Sequence, residues 1–306
     1  MRVVHSRREA HGRASRETMD PQAPDEQTRT DSLVFVDDDA FPREALRELL
    51  KTKGFEVHVA EDGLEGLEII RRIHPDYIIL DIILPKLDGS QVCWLLRRDR
   101  RLHSTPIIAL SGLAPQDFRR FPRLSADAYV AKGPLPSVIP HLLAALQYVA
   151  ERRGGVLHGG LFGYEGFRPR RLVSEMLAQM RRYAALIQLL SWGVLDLDAE
   201  GRILLANAAA AHLLGKREAQ LIGQPFLALF PARSRQVLQD VLAEVQRAPT
   251  EETLRVTAAL GPKALALGVS GAKDQGVVKR ILVTITPAPA KSEAEAVRTN
   301  RSGPLL

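Results

Sequence analysis

The sequence feature that most restricts the fold is an apolar run that ends in a carboxylate. Tyr77 to Leu80 are four consecutive apolar or aromatic residues, and Asp81 follows directly. Such a run predicts a strand that is buried on both faces, as in a parallel sheet. Functional side chains of open α/β sheets lie at the carboxyl ends of the strands, so Asp81 is a candidate functional residue. Taken alone, the run fits a structural cap at a strand end equally well.

Three further short apolar segments also end in polar side chains. Asp37 and Asp38 follow segment 33–36, Ser111 follows segment 107–110, and Lys132 follows segment 128–131. Parallel strands bring such side chains to one edge of the sheet. Crowded carboxylates repel each other unless a divalent cation lies between them, and a site made only of oxygen atoms suits Mg²⁺. The pattern therefore predicts a magnesium site beside a carboxylate that can attack phosphorus.

Residues 32 to about 150 resemble the receiver domain of two-component response regulators. Besides the polar residues above, the resemblance includes Leu84-Pro85 and Asp88-Gly89, which follow Asp81 at the spacing of that family. The alternation of five strands with helices predicts a flavodoxin-like, doubly wound parallel sheet in the order 2-1-3-4-5, with helices on both faces. The helix before the fifth strand is expected near 115–121.

The resemblance implies a role for each polar residue at this edge. It makes Asp81 the phosphoacceptor and Tyr129 the switch aromatic. It makes Ser111 and Lys132 the phosphoryl-binding residues. The Mg²⁺ ligands that it implies are Asp37, Asp38, Asp81 and the backbone carbonyl of Ile83. The sequence departs from the family pattern after the lysine, where Gly133 precedes Pro134. Because of this departure, the resemblance does not imply the cis peptide that the family usually has there, whereas it still implies the role of the lysine.

Composition argues against several other classes of protein. No apolar run approaches the roughly 20 residues that a membrane-spanning helix needs, and no signal peptide is recognisable, so a cytoplasmic location is expected. The one cysteine, Cys93, excludes an internal disulfide framework and is expected to pack inside the receiver. The net charge of +6 comes from scattered basic residues without a nucleic-acid-binding motif, which favours a solvated basic surface.

A heptad pattern follows a glycine-rich stretch. Apolar side chains recur at intervals of three and four residues at Val173, Met176, Met180, Tyr183, Ile187 and Leu190. A single helix of this length is marginal in water, so the apolar seam should pack against another surface. A parallel homodimer is the preferred interpretation, and packing against the helix's own domain is the alternative.

The last third of the chain predicts an α+β domain with an antiparallel sheet. A strand hairpin and short helices precede a long amphipathic helix at about 233–247, and three strands follow near 252–260, 263–270 and 277–286. The long helix is expected to turn Val237, Leu238, Val241, Leu242 and Val245 inward. Asn207 is placed to cap the helix after the hairpin.

This order of elements, with the motifs Gly201 to Asn207 and Leu221 to Gly223, resembles a PAS domain. No cysteine follows Cys93 to form a flavin adduct. His212 lies on an early helix and not on the long one, where a haem ligand is expected. The resemblance therefore implies neither a haem nor a flavin.

The chain is thus predicted to consist of six segments. They are a disordered arm at 1–31, a receiver domain at 32–152, a glycine-rich linker at 153–170, a heptad signalling helix at 171–191, a PAS-like domain at 192–288 and a disordered tail at 289–306. Met1 and Met19 are both possible starts of translation. Phe162, Tyr164 and Phe167 lie among the linker glycines and predict that the linker docks on a folded surface.

These features predict a phosphorelay switch without an output enzyme. The resemblance implies that Asp81 accepts a phosphoryl group from a histidine kinase or phosphotransfer protein, and that a dimeric PAS module relays the aspartyl phosphate state to a partner protein. The alternative is a ligand-sensing PAS protein whose receiver is a docking surface. A phosphatase is disfavoured, because aspartyl phosphatases usually carry a second acid where this chain has Ile83.

Overall fold

The computed structural model describes residues 30–113, 124–151, 159–165, 171–248 and 252–289, and within 171–181 only the side chains of Glu175 and Gln179. Several predictions fall wholly or almost wholly outside these residues: the N-terminal arm, the helix near 115–121, the docking of Phe167 and the C-terminal tail. The described peptide bonds include no cis bond.

The first half of the chain forms one parallel sheet. Its strands are β1 (Ser32–Val36), β2 (Glu56–Ala60), β3 (Tyr77–Asp81), β4 (Ile107–Ser111), β5 (Ala128–Ala131) and β6 (Gly160–Phe162). The strand order is β2-β1-β3-β4-β5-β6, and every adjacent pair is parallel. The predicted order of the first five strands is confirmed. The sixth strand was not predicted, because it arises from the glycine-rich linker.

Helices cover both faces of this sheet. They are α1 (Ala40–Thr52), α2 (Gly63–Ile73), α3 (Gly89–Leu96) and α4 (Leu135–Glu151). One apolar core lies between the sheet and α1 and α4, and the core on the other face includes residues of α2 and α3. Cys93 is fully buried in the second core, as predicted.

Aspartates fix the start of three of these helices. Asp39 accepts a hydrogen bond from Phe41 N at the start of α1, and Asp62 accepts one from Glu65 N at the start of α2. Asp88 forms a reciprocal capping box with Gln91 at α3. Each cap satisfies backbone N–H groups that have no partner inside the helix, and so defines where the loop after a strand ends.

The second half of the chain contains a separate antiparallel sheet. A helix, α5 (Arg171–Leu189), precedes it. The strands are β7 (Gly193–Asp198), β8 (Ile203–Ala206), β9 (Leu254–Leu260), β10 (Lys263–Asp274) and β11 (Val277–Pro287), in the order β8-β7-β11-β10-β9. The predicted α+β class is confirmed.

Three helices and one 3-10 turn lie between β8 and β9. They are α6 (Ala208–Leu214), α7 (Glu218–Leu221), the 3-10 turn Phe226–Leu229 and α8 (Ala232–Arg247). In α8 the side chains of Leu238, Leu242 and Val245 are buried, as predicted. Val237 is 45% exposed, so its predicted inward orientation is wrong. Ser234 lies inward, and its hydroxyl both donates to Ala259 O and accepts from Ala259 N at 3.0 Å.

Candidate functional site: an acidic cluster at the end of the parallel sheet

Three predicted carboxylates from two segments of the chain meet at one edge of the parallel sheet. Asp81 is the last residue of β3, and Asp37 follows β1. Both are almost fully buried, whereas the neighbouring Asp38 is exposed. One carboxylate oxygen from each of the three residues lies within 4.8 Å of the others. The strand ends therefore assemble the acidic cluster that the sequence predicts.

Lys132, which follows β5, completes the charge arrangement. Its Nζ lies 2.5 Å from Asp81 Oδ2 and 3.1 Å from Asp37 Oδ2. Burial raises the pKa of Asp81 to about 6, although the Lys132 ammonium opposes this rise. Burial also acts to lower the pKa of Lys132, but the two carboxylates outweigh it and leave that pKa raised. The lysine therefore stays charged and helps to keep a buried carboxylate ionised.

Backbone groups orient the two buried carboxylates. Ile83 N donates to Asp81 Oδ1 at 3.2 Å, and Asp39 N donates to Asp37 Oδ1 at 3.0 Å. The guanidinium of Arg43 donates to the backbone carbonyl of Asp37 at 2.8 Å, which holds the loop after β1. Each carboxylate thus has one oxygen engaged by the backbone and one directed toward the cluster.

The cluster fits a hard divalent cation. Asp37 Oδ2 is buried and, among the described residues, accepts no hydrogen bond of acceptable geometry, although Lys132 lies within ion-pair distance. A buried carboxylate oxygen in this state has capacity for a further positive partner. The donors are carboxylate oxygens, which Mg²⁺ prefers. The residues present therefore can hold Mg²⁺.

Ser111 and Tyr129 occupy the adjoining strands. Ser111 ends β4, is fully buried, and its Oγ accepts a hydrogen bond from Leu113 N at 3.0 Å. The Tyr129 side chain on β5 is buried, and its hydroxyl accepts from Ala126 N at 3.3 Å and donates to Leu124 O at 3.4 Å. The tyrosine ring is thus held inward in this structure.

The structure adds Tyr164 to this region, which the sequence did not assign to the site. Tyr164 follows β6 by two residues and packs partly buried against the core. Burial raises the pKa of its phenol. The sequence signal was weak: an aromatic residue among linker glycines indicates docking without saying where.

The predicted dimer seam is only partly described. Helix α5 covers the seam as far as Ile187, and Leu190 comes directly after its last residue, Leu189. The side chains of the first half of the seam, at Val173, Met176 and Met180, lie outside the described residues. In the second half Tyr183 and Leu190 are exposed, whereas Ile187 is half-buried. Leu186 and Leu189, which the seam did not include, are 59% and 82% exposed.

No helix within the described residues is both long enough and apolar enough to cross a membrane.

Comparison with known proteins assigns the two halves of the chain. The family profile for the response regulator receiver domain matches residues 33–145, and the profile for the PAS fold matches residues 181–287.

Individual relatives match the receiver half. The polar-differentiation response regulator DivK of Brucella ovis is 31% identical over 119 residues, which cover 39% of this chain and 94% of DivK. Response regulator MprA of Mycobacterium leprae is 36% identical over 126 residues, or 39% of this chain and 51% of MprA. The structure of chemotaxis response regulator CheY4 of Vibrio cholerae shows 27% identity and a TM-score of 0.36 over 39% of this chain and 98% of that one. The chain belongs to the response regulator family, with a receiver domain followed by a PAS fold.

Proposed function

We propose that this response regulator accepts a phosphoryl group on Asp81 from a histidine kinase or phosphotransfer protein. The single observation that carries the proposal is the cluster itself: three carboxylates within 4.8 Å and an ammonium 2.5 Å from one of them. Bound Mg²⁺ supplies the positive charge that offsets the crowded carboxylates and the incoming phosphoryl oxygens. Asp37, Asp38, Asp81 and the backbone carbonyl of Ile83 would hold it.

The residues of the chain divide the remaining work. Asp81 Oδ1 is fixed by Ile83 N, which leaves Oδ2 as the oxygen that faces Lys132 and attacks phosphorus. Lys132 pairs with the transferred group, because its ammonium already lies within hydrogen-bond distance of the accepting oxygen. Ser111 lies on the neighbouring strand, β4, and its hydroxyl donates a hydrogen bond to the phosphoryl group. Tyr129 repacks in response, as the switch aromatic.

Labelling with acetyl phosphate tests this proposal directly. The full chain should incorporate phosphoryl in the presence of Mg²⁺ and lose the label when EDTA is added beforehand. Asp81→Asn should abolish labelling, and Asp38→Ala should reduce it strongly, because each change removes a carboxylate of the cluster.

Asp39→Asn is the matched control for these variants. Asp39 belongs to the same acidic run but not to the cluster, and asparagine preserves the helix cap. This variant should be labelled like the wild type. Labelling that survives Asp81→Asn, or that is indifferent to EDTA, would contradict the assignment of the phosphoacceptor or of the metal.

The relay is proposed to run through a dimer of α5. Tyr183 and Leu186 lie three residues apart on its exposed side, and Leu189 extends that surface. Leu190, four residues after Leu186, follows the last helical residue and is also exposed. A contiguous exposed apolar stripe on a helix favours association, and a second α5 offers a complementary stripe of the same length. Leu186 therefore joins the proposed seam, while half-buried Ile187 lies at its margin.

Sedimentation measures this association. Leu186→Glu should convert a dimeric wild type into a monomer that is still labelled at Asp81, because a charge in the seam cannot be desolvated. Val277→Glu is the control, since Val277 is equally exposed, at 58% against 59%, but lies on β11. A monomeric wild type, or a dimer that tolerates Leu186→Glu, would contradict the seam.

The same experiment separates the relay from the alternative of a ligand-sensing PAS protein. If the chain is a relay, acetyl phosphate should change the sedimentation of the wild type but not the sedimentation of Asp81→Asn. Identical behaviour of both proteins with and without acetyl phosphate would favour the alternative, in which the receiver is a docking surface.

A further inference from the structure

One flank of the receiver helix α2 contacts the PAS fold. Leu64, Glu68 and Arg71 recur at intervals of four and three residues, so they lie on the same side of this helix. Leu64 is 3% exposed and belongs to a cluster of buried residues that continues into the PAS fold. Glu68 forms an ion pair with Arg202, which lies in the turn between β7 and β8. This flank is therefore the surface on which the β7–β8 hairpin docks.

The segment after the PAS helix α7 completes the contact. Gly223 N donates to Ile203 O at 2.8 Å, which holds Gly223 beside the start of β8. A Cβ added at Gly223 would lie 3.4 Å from Leu64 Cδ1 and 3.8 Å from Arg71 Nη1, so the glycine itself lies close to the flank. The contact thus combines an apolar part at Leu64 with an ion pair one helical turn further along α2.

A negatively charged cleft of about 250 Å³ lies beside this contact. Its lining among the described residues includes six carboxylates, which are Glu61, Asp62, Glu65 and Glu68 of the receiver and Asp198 and Glu200 of the PAS fold. Lys86 and Arg202 are the cations of the same lining. Because carboxylates lie on both sides, their repulsion opposes docking.

Two further observations show that the contact is weak. Both side chains of the ion pair between Glu68 and Arg202 are partly exposed, so solvent reduces their attraction. Asp198 Oδ2 is buried and, among the described residues, accepts no hydrogen bond of acceptable geometry. A buried acceptor without a donor destabilises the state that buries it. A modest change of charge can therefore shift the contact.

The cleft lies at the same edge of the sheet as the acidic cluster. Asp62 follows β2, and Lys86 belongs to the loop that follows Asp81. Lys86 Nζ lies 2.8 Å from Asp62 Oδ2, and Gly63 N donates to Pro85 O at 3.3 Å. The loop after Asp81 is thus attached to the start of α2, the helix that carries the docking flank.

We propose that this contact is the resting interface between the receiver and the PAS fold, and that phosphorylation of Asp81 weakens it. A phosphoryl group adds about −1.5 to −2 charges to an edge that is already negative, which increases the repulsion across the cleft. The weakening rests on the proposed phosphorylation of Asp81, whereas the docking does not. Weakening the contact uncovers both the flank of α2 and the hairpin.

Cross-linking between two introduced cysteines measures the contact in the full chain. Glu65→Cys with Glu200→Cys places one thiol on each side of the cleft. Cys93 is the one native cysteine and is buried, so a short bismaleimide reacts with the introduced thiols. The matched control is Glu65→Cys with Arg255→Cys, whose second thiol lies on β9 at the other edge of the PAS sheet. We expect a cross-link within one chain that forms about tenfold faster than in the control, since docking raises the effective concentration of the thiols.

Charge reversal tests the ion pair in the same cysteine background. Arg202→Glu should slow the cross-linking about twofold to fivefold, because repulsion from Glu68 replaces a partly exposed ion pair. Adding Glu68→Arg should restore the rate, because the pair is formed again with its charges exchanged. Equal rates in all three proteins would contradict the role of the pair.

Beryllium trifluoride, used with Mg²⁺, tests the weakening because it occupies the place of a phosphoryl group on an aspartate. It should slow the cross-linking and leave the rate unchanged when Asp81→Asn is added. Fluorine NMR reports separately whether the probe binds. If it binds and the rate does not fall, the weakening is wrong while the phosphoacceptor stands.

Two other results would overturn the docking. They are a cross-linking rate no higher than in the control, and cross-links that join two chains, which would place the hairpin on a second copy. If the probe binds the wild type no better than Asp81→Asn, the proposed function fails and the weakening fails with it. The rate without the probe still decides the docking in that case.

Discussion

Asn207 joins the end of α5 to the PAS fold, and its replacement should be costly. The side chain is fully buried. Its Oδ1 accepts from Val194 N and Ala210 N, both at 2.9 Å. Its Nδ2 donates to Ile187 O at 3.1 Å and to Trp192 O at 2.9 Å. One amide therefore caps α6, anchors the start of β7 and holds the last turn of α5.

The cost of Asn207→Ala follows from these four bonds. Loss of the helix cap costs about 1 kcal/mol. Val194 N is buried and would be left without its acceptor, which costs about 1–3 kcal/mol. The two carbonyls belong to half-buried Ile187 and exposed Trp192, so water can replace the lost donor at little cost. We expect a total loss of about 2–4 kcal/mol in the free energy of unfolding of the PAS fold.

Urea unfolding followed by Trp192 fluorescence in a Trp94→Phe background measures this loss without interference from the receiver tryptophan. Asp39→Ala supplies a comparison, since it removes an exposed cap with one side-chain hydrogen bond, at 3.1 Å to Phe41 N. Followed by Trp94 in a Trp192→Phe background, it should cost no more than about 1 kcal/mol. If Asn207→Ala costs as little as Asp39→Ala, the buried amide network does not act as described.

Three further changes should have distinct outcomes. Gly89→Ala should destabilise the receiver and abolish phosphorylation, because the added Cβ would lie 2.3 Å from the backbone oxygen of Asp81. Gly112→Ala is the control and should fold normally, because its added Cβ would meet nothing within 4 Å. Arg97→Ala should lower the free energy of unfolding by about 2–4 kcal/mol in urea titrations, since the guanidinium binds one carboxylate and three backbone carbonyls. Burial raises the pKa of Cys93 to about 12, so a thiol reagent at pH 8 should modify it only after unfolding. Rapid labelling of the native protein at pH 8 would contradict the burial of Cys93. Because its pKa is raised, the contribution of Cys93 to the free energy of unfolding is complete below about pH 9 and decreases as the pH rises toward 12.

The acidic cluster and its polar neighbours could be predicted because topology alone brings them together. Asp37, Asp81, Ser111 and Lys132 each follow or end an apolar strand, and parallel strands end at the same edge. The strand β6 could not be predicted. Its three residues show no periodicity, and the glycines around them indicate a turn rather than a strand. Its pairing depends on the open edge of β5, which is a property of the folded sheet.

Amphipathic patterns predicted the helices better than the direction of each side chain. In α8 the core-facing row begins with Ser234, whose hydroxyl is satisfied by Ala259, and this row leaves Val237 outside. Hydrophobicity alone cannot identify a polar residue that is buried with its partners. In α5 the heptad pattern could not distinguish the side that faces its own domain. Gln188 decides this side, because it accepts from Ala208 N at 3.0 Å and donates to Ala206 O at 3.4 Å.

Covering β5 with β6 also affects how two copies of the chain can meet. An uncovered edge strand presents unpaired N–H and C=O groups to any extended segment in solution. If β6 were displaced, the β6 of a second copy would offer β5 the same pairing. Reciprocal exchange of β6 would join two chains through contacts that each already makes alone, a low-cost route to a dimer. Joining of this kind would depend on protein concentration.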